Sequence, residues 1–188
     1  MNTLKCHAAW LLTMLFCLNA SGQNATRQHV VALTDKAVKS NEQFKFKESL
    51  MLSREALSGA LELKDYDLLT RLYNIIGANH EDLSQTETAI GYYEKSLKYA
   101  QMAKSDSLQS VVHNNLGNIY YYAKKDIAKG EAHYAKALAF AALAGDEYGA
   151  MITRINLALA NFDLNQKDKG FEHLTEVNKT YSRLGDEF

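Results

Sequence analysis

Proline is absent from all 188 residues, and the chain has just two cysteines, Cys6 and Cys17, both near the amino terminus. Without proline there is no Pro-rich linker, and nothing interrupts long helices joined by short turns. Charge of one sign is also missing. The formal net charge is −1, so no basic field calls for nucleic acid or an anionic membrane. Reactive motifs are equally scarce. His80-Glu81-Asp82 lacks the second histidine of a zinc-protease helix, and there is no Gly-rich phosphate loop and no Gly-x-Ser-x-Gly elbow. What remains is 47% hydrophobic and 23% charged, the balance of an ordinary folded protein.

The first 22 residues stand apart. Lys5 gives a positive start, Ala8 to Leu18 is apolar except for Thr13, and Ala20-Ser21-Gly22 supplies small residues before Gln23. That is the layout of a secretory signal peptide cleaved after Gly22. The apolar run is about half of the roughly 20 residues a spanning helix needs. Phe16 stands where a lipoprotein signal needs a small residue before Cys17. The expected mature chain, 23–188, is therefore exported, to a periplasmic or extracytoplasmic space if the source is bacterial. It holds no thiol, no disulfide and no Cys-ligated metal, and no cofactor is called for.

Within 23–188 a unit of about forty residues recurs. Small residues fall at Ala56, Ser96, Ala137 and Val177, in steps of 40, 41 and 40. Nine residues after each comes a helix-capping residue: Asp65, Ser105, Asp146 and Asp186. The units span about 26–64, 65–104, 105–145 and 146–185, and Asp186-Glu187-Phe188 echoes Asp146-Glu147-Tyr148 as though a truncated fifth began there. Each unit reads as two amphipathic helices, A and B. The third carries His113, Leu116, Gly117 and Tyr120 on one face of helix A, then Gly130, Tyr134 and Ala137 on helix B. The second repeats this with Tyr73, Ile76, Gly77 and His80, then Ala89, Tyr93 and Ser96. The fourth has Arg154, Leu157, Ala158 and Asn161, then Gly170, Leu174 and Val177; the first has Ala37, Ser49, Ser53 and Ala56. A glycine at one register predicts close approach of helix A to helix B, with Tyr93, Tyr134 and Leu174 filling the space between units. The third unit's extra residue is expected in its A–B turn, Lys124-Lys125-Asp126. Ala135 to Ala144, the most apolar stretch after the leader, is expected as a B helix buried on both sides.

This pattern resembles the tetratricopeptide repeat, in its long-period form, over residues from about 26 to 186. The resemblance implies an all-α fold: a right-handed superhelical solenoid of antiparallel helix pairs, with A helices lining the concave face. Signal peptide and long period together are similar to the exported input regions of bacterial sensor kinases and regulators that contain such repeats.

The candidate site follows from that face. Val111, Asn115, Asn118 and Tyr122 form one stripe in the third unit; Arg71, Ile75, Ala78 and Asp82 form it in the second, and Ile152, Asn156, Leu159 and Asp163 in the fourth. Asn74, Asn114 and Tyr121 flank it. An asparagine amide both donates and accepts, so a row of them can hold an extended backbone without reading its sequence. The resemblance implies that role for Asn115 and Asn156. The candidate ligand contacts are Arg71, Asn74, Asn114, Asn115, Asn118, Tyr121, Tyr122 and Asn156. Asp35, Glu42, Asp82 and Asp163 weigh against a basic carboxylate clamp. The expected function is non-catalytic binding of a protein or peptide segment; the rival is the input region of a longer signalling protein. An enzyme built from His80, Glu81, His113 and Arg154 would lack any nucleophile–base pair. The outer face of the last B helix (Phe171, Leu174, Val177, Tyr181, Leu184) predicts self-association.

Overall fold

The computed structural model describes residues 26–185; the expected leader and the Asp186 cap lie outside them. The described chain is α throughout: α1 (26–42), α2 (Phe46–Leu63), α3 (Tyr66–Asp82), α4 (Thr86–Ala103), α5 (Asp106–Asn118), α6 (Ile127–Ala144), α7 (Glu147–Asp163) and α8 (Lys167–Gly185). These stack as four helix pairs in which α1, α3, α5 and α7 are the A helices; from α2 to α8 each helix packs on its neighbours in sequence, and α1 meets α2 where Ser49 Oγ donates to the Ala37 carbonyl and Val30 packs with Ala56 and Ala60. The molecule is thus a helical-repeat array whose core falls in successive clusters between neighbouring units rather than in a single globule.

Local chemistry sets each boundary. Asp65, Ser105 and Asp146 cap α3, α5 and α7, their side chains accepting from the N–H of Leu68, Leu108 and Gly149. The B helices end on a left-handed residue, Lys64, Lys104 or Gly145, with φ of 52°, 53° and 66°. The next N–H then bonds back to Ala60, Ala100 or Ala141, which satisfies carbonyls the helix leaves open. A–B turns use a left-handed residue too, at Phe44, Ser84, Lys125 and Asn165. These recur in steps of 40, 41 and 40, so the turns are alike in length.

The extra residue of the third unit is therefore not in its turn. It sits at the end of helix A, where Ile119–Ala123 winds as a π-helix. The Lys124 N–H reaches the Ile119 carbonyl, five residues back. Widening one turn absorbs the residue while α5 and α6 keep their packing; shifting the turn would have rotated α6 away from α5.

Gly77 and Gly117 lie under the rings of Tyr93 and Tyr134. A Cβ on Gly77 would come within 2.8 Å of Tyr93 Cδ1, and one on Gly117 would overlap the Tyr134 ring more deeply. From the other helix, a Cβ on Gly130 would meet Tyr121 Cβ at 2.9 Å and the Gly117 carbonyl oxygen at 3.2 Å. Beyond their own units, Tyr93 joins a cluster with Val112, Leu116 and Ile119, and Tyr134 one with Leu157 and Ala160. Each tyrosine is the side chain through which one unit's core continues into the next.

In α6 the expectation of burial on both sides is corrected. Tyr134, Ala137 and Ala141 are buried, but Ala135, Ala139, Ala142 and Leu143 face outward. Alanine favours a helix whether or not it is covered, so an alanine-rich run marks helicity without marking burial. In α8, Phe171, Leu174 and Tyr181 are exposed, as expected of that face.

Candidate functional site

The A helices run in the same direction and touch side by side, and polar bonds cross each seam between them. Asn115 Nδ2 donates to Asn74 Oδ1 between α3 and α5, and Asn156 Nδ2 donates to Asn114 Oδ1 between α5 and α7, each at 2.9 Å. One half of each of these amides is used, leaving Asn74 and Asn114 their NH2 groups and Asn115 and Asn156 their carbonyls. The candidate asparagines are thus brought together in two interlocked pairs, which orders them and leaves hydrogen-bonding capacity on every one.

Hollows open along this A-helix face. One, about 400 Å³, is lined by residues that include Arg27, Asp35, Asp67, Arg71, Ser107 and Leu108. A second, about 160 Å³, shares Asp35, Arg71 and Leu108 with it and adds Val38, Asn74, Ile75 and Val111. A third, about 110 Å³, shares Val111 and adds Asn114, Asn115, Gly149 and Ile152. The shared residues make them one furrow crossing α1, α3, α5 and α7. Arg71, Asn74, Asn114 and Asn115 line it directly, and Asn156 is bonded to its wall.

The other candidates lie elsewhere. Asn118 turns toward its own B helix, where its Oδ1 accepts from the Tyr134 hydroxyl at 2.9 Å. Tyr121 and Tyr122 occupy the π-helix beyond the furrow. The Tyr121 hydroxyl donates to Asp163, and that bond, with burial, raises its pKa to about 12. Tyr122 is half exposed and meets Tyr121 edge to face.

Sequence reading missed a second line of bonds near the carboxyl ends of the A helices. Asn41 Nδ2 donates to Asp82 Oδ2 at 3.0 Å, and Tyr121 to Asp163 in the same sense two units on. The signal was present: Glu42, Asp82 and Asp163 each stand two residues before a left-handed turn residue, Phe44, Ser84 or Asn165.

Chemically reactive groupings are not what this face offers. His113 and His133 meet Nδ1 to Nδ1 at 3.1 Å, between α5 and α6. Burial, with His133 and Lys136 nearby, holds the His113 pKa down to about 4, and the contact between neutral rings needs one Nδ1–H donating to the other ring's bare Nδ1. Tyr120 stacks on His133 and Phe140 on His113. These histidines are packing groups at the register where the second unit stacks Tyr73 on Tyr92. Among the described residues no three His, Cys, Asp or Glu side chains converge to hold a metal ion, and no helix is long and apolar enough to cross a membrane.

Comparison with known proteins places the fold. No family model and no curated protein matches the sequence. Among solved structures, BtubC (BKLC) from P. vanneervenii superposes with a TM-score of 0.72 at 20% identity over 83% of this chain, which spans 64% of the length of that one. The MamA RS-1 ArsTM double mutant superposes with a TM-score of 0.59 at 15% identity, over 82% of this chain and 76% of that one. Identities this low speak for fold alone. The chain is a helical-repeat protein, with a furrowed A-helix face as its distinctive surface.

Proposed function

We propose that this protein is an exported, non-catalytic tetratricopeptide-like repeat domain that holds an extended protein or peptide segment along its A-helix face. The observation that carries the reading is the furrow lined by half-used asparagine amides. An extended backbone presents one donor and one acceptor per residue. Asn74 and Asn114 still offer donors, and Asn115 and Asn156 acceptors, at fixed positions across three helices. Exposed Val111, Ile152 and Leu159 beside them give apolar contact for alternate side chains. Because the amides are paired before any ligand arrives, little side-chain entropy remains to be lost on binding. A protein partner also suits the general use of solenoid faces, and export rests on the composition of residues 1–22.

Titration with libraries of extended peptides tests the proposal, comparing the native protein with the Asn115→Ala/Asn156→Ala double variant. Binding weakened about tenfold or more, with helicity by circular dichroism intact, is the expected result. Equal binding by both forms would remove the asparagines from the site.

A further inference from the structure

Two charges break the pattern of the A-helix face. Arg71 stands where the third and fourth units carry Val111 and Ile152, and Asp35 where the later units carry Ile75, Asn115 and Asn156. Both side chains line the 400 Å³ hollow and the 160 Å³ hollow, Asp35 from α1 and Arg71 from α3. They do not pair with each other, and neither side chain has an ion-pair or hydrogen-bond partner among the described residues. Arg27, at the same end of the furrow, is by contrast held by Asp65 at 2.7 Å. A cation and an anion thus share two hollows without meeting.

Their surroundings narrow what could join them. Asn74 lines the smaller hollow, and its Oδ1 accepts from Asn115, so its NH2 remains to donate. Asp67 adds a second unpaired carboxylate to the other hollow. The smaller hollow also has aliphatic walls, Val38, Ile75, Leu108 and Val111. Its volume, about 160 Å³, is just above the roughly 150 Å³ of an apolar cavity that takes up benzene. It has room for one branched or aromatic side chain.

A ligand that answers all of this carries a carboxylate, an ammonium and an apolar group close together. The carboxylate suits the Arg71 guanidinium, which can give it two parallel bonds, and the Asn74 NH2. The ammonium suits Asp35, with Asp67 adding to the negative potential. Singly, exposed charges contribute little; the match of three groups at once is what selects. The amino end of a peptide supplies the ammonium without the carboxylate, and the carboxyl end the reverse. A free amino acid supplies both.

We infer that this end of the furrow is a binding site for a free apolar α-amino acid of the size of leucine or phenylalanine. Arg71 and Asn74 hold its carboxylate, Asp35 its ammonium, and the aliphatic hollow its side chain. Such a ligand is separate from the extended segment proposed above, and its charges are met by Arg71 and Asp35 rather than by Asn115 and Asn156.

Isothermal titration with L-leucine and L-phenylalanine tests the site, beside glycine and the N-acetyl and amide forms of both. The free apolar amino acids are expected to bind, and glycine about tenfold more weakly, because it leaves the hollow unfilled. Each capped form should also lose about tenfold or more, since one charge of the protein then goes unanswered. Two variants separate the ends of the ligand. Arg71→Gln should weaken the free amino acid about tenfold and erase its advantage over the amide, while keeping its advantage over the N-acetyl form. Asp35→Asn should do the opposite. Both residues are exposed, so neither change should move the melting temperature. Capped forms that bind as well as free ones, or variants that bind like the parent, overturn the inference. So does a failure of every amino acid to bind at millimolar concentration; extended peptides still held through Asn115 and Asn156 would then leave the groove reading intact.

Discussion

The ring of Tyr134 covers Gly117 so closely that a Cβ at residue 117 would overlap the ring's Cδ1 and Cε1. Tyr134 is wholly buried and cannot swing clear without breaking its contact with the next unit. Gly117→Leu should lower stability by about 1–3 kcal/mol through overpacking. Gly91, in α4, has nothing within 4 Å of its built Cβ, so Gly91→Ala should raise stability by about 0.5–1 kcal/mol. Thermal melts of both variants check the contrast; a Gly117→Leu protein as stable as the parent would contradict the packing.

The His113–His133 pair makes stability depend on pH. Both rings have pKa values held below the ordinary histidine value by burial, His113 at about 4. A depressed folded pKa means that the unfolded chain takes up the proton first. The pair's contribution is complete above about pH 6.5 and is lost as pH falls from there toward 4. His113→Tyr/His133→Tyr imports the second unit's pair and should flatten the curve over that window. Urea melts at stepped pH would show the slope, and an unchanged slope in the double variant would rule the pair out as its source.

The π-helix predicts an asymmetry between deletions. Removing Ala123 should restore a regular helical end and leave a cooperatively melting protein, because the surplus residue is already accommodated there. Removing Ile76, inside α3, rotates every later residue of that helix by about 100° and should abolish cooperative unfolding. Circular dichroism melts distinguish them, and two equally disrupted proteins would show that the π-turn is required.

Phe171 and Tyr181 are 61% and 69% exposed on α8. Exposed apolar side chains grouped on one helix face favour association. Sedimentation velocity at rising concentration should show self-association that Phe171→Lys/Tyr181→Lys removes. A monomer across the whole range would refute this.

Much of this architecture was legible because a repeat samples the same physical problem several times. One glycine in a helix is ambiguous, but Gly77 and Gly117 at one register, each followed by a tyrosine sixteen or seventeen residues on, specify a close crossing. The caps Asp65, Ser105 and Asp146 were legible for the same reason. The surplus residue was misplaced because turns tolerate insertions more often than helix ends do, and nothing in Tyr120-Tyr121-Tyr122 signals a π-turn. The run from Ala135 to Ala144 misled because alanine reports helix propensity and apolarity together. Stripe membership located Asn115 and Asn156 but not their pairing with Asn74 and Asn114. Such bonds join residues 41 and 42 apart in sequence, and only the offset between neighbouring helices determines which amides meet.

Units two and three close their A–B seams with stacked rings, whereas the fourth puts Asn161 and His173 at the same register. The Asn161 amide is buried with neither atom bonded, and His173 Nδ1 also lacks a partner. Buried polar groups left unpaired weaken the layer that holds them. Drawn apart by its ends in an optical trap, the array should therefore yield first where α7 meets α8, and the low-force step should vanish if Asn161→Tyr/His173→Tyr gives that seam rings of its own. The described array then has a seam, between α7 and α8, set to part early under load.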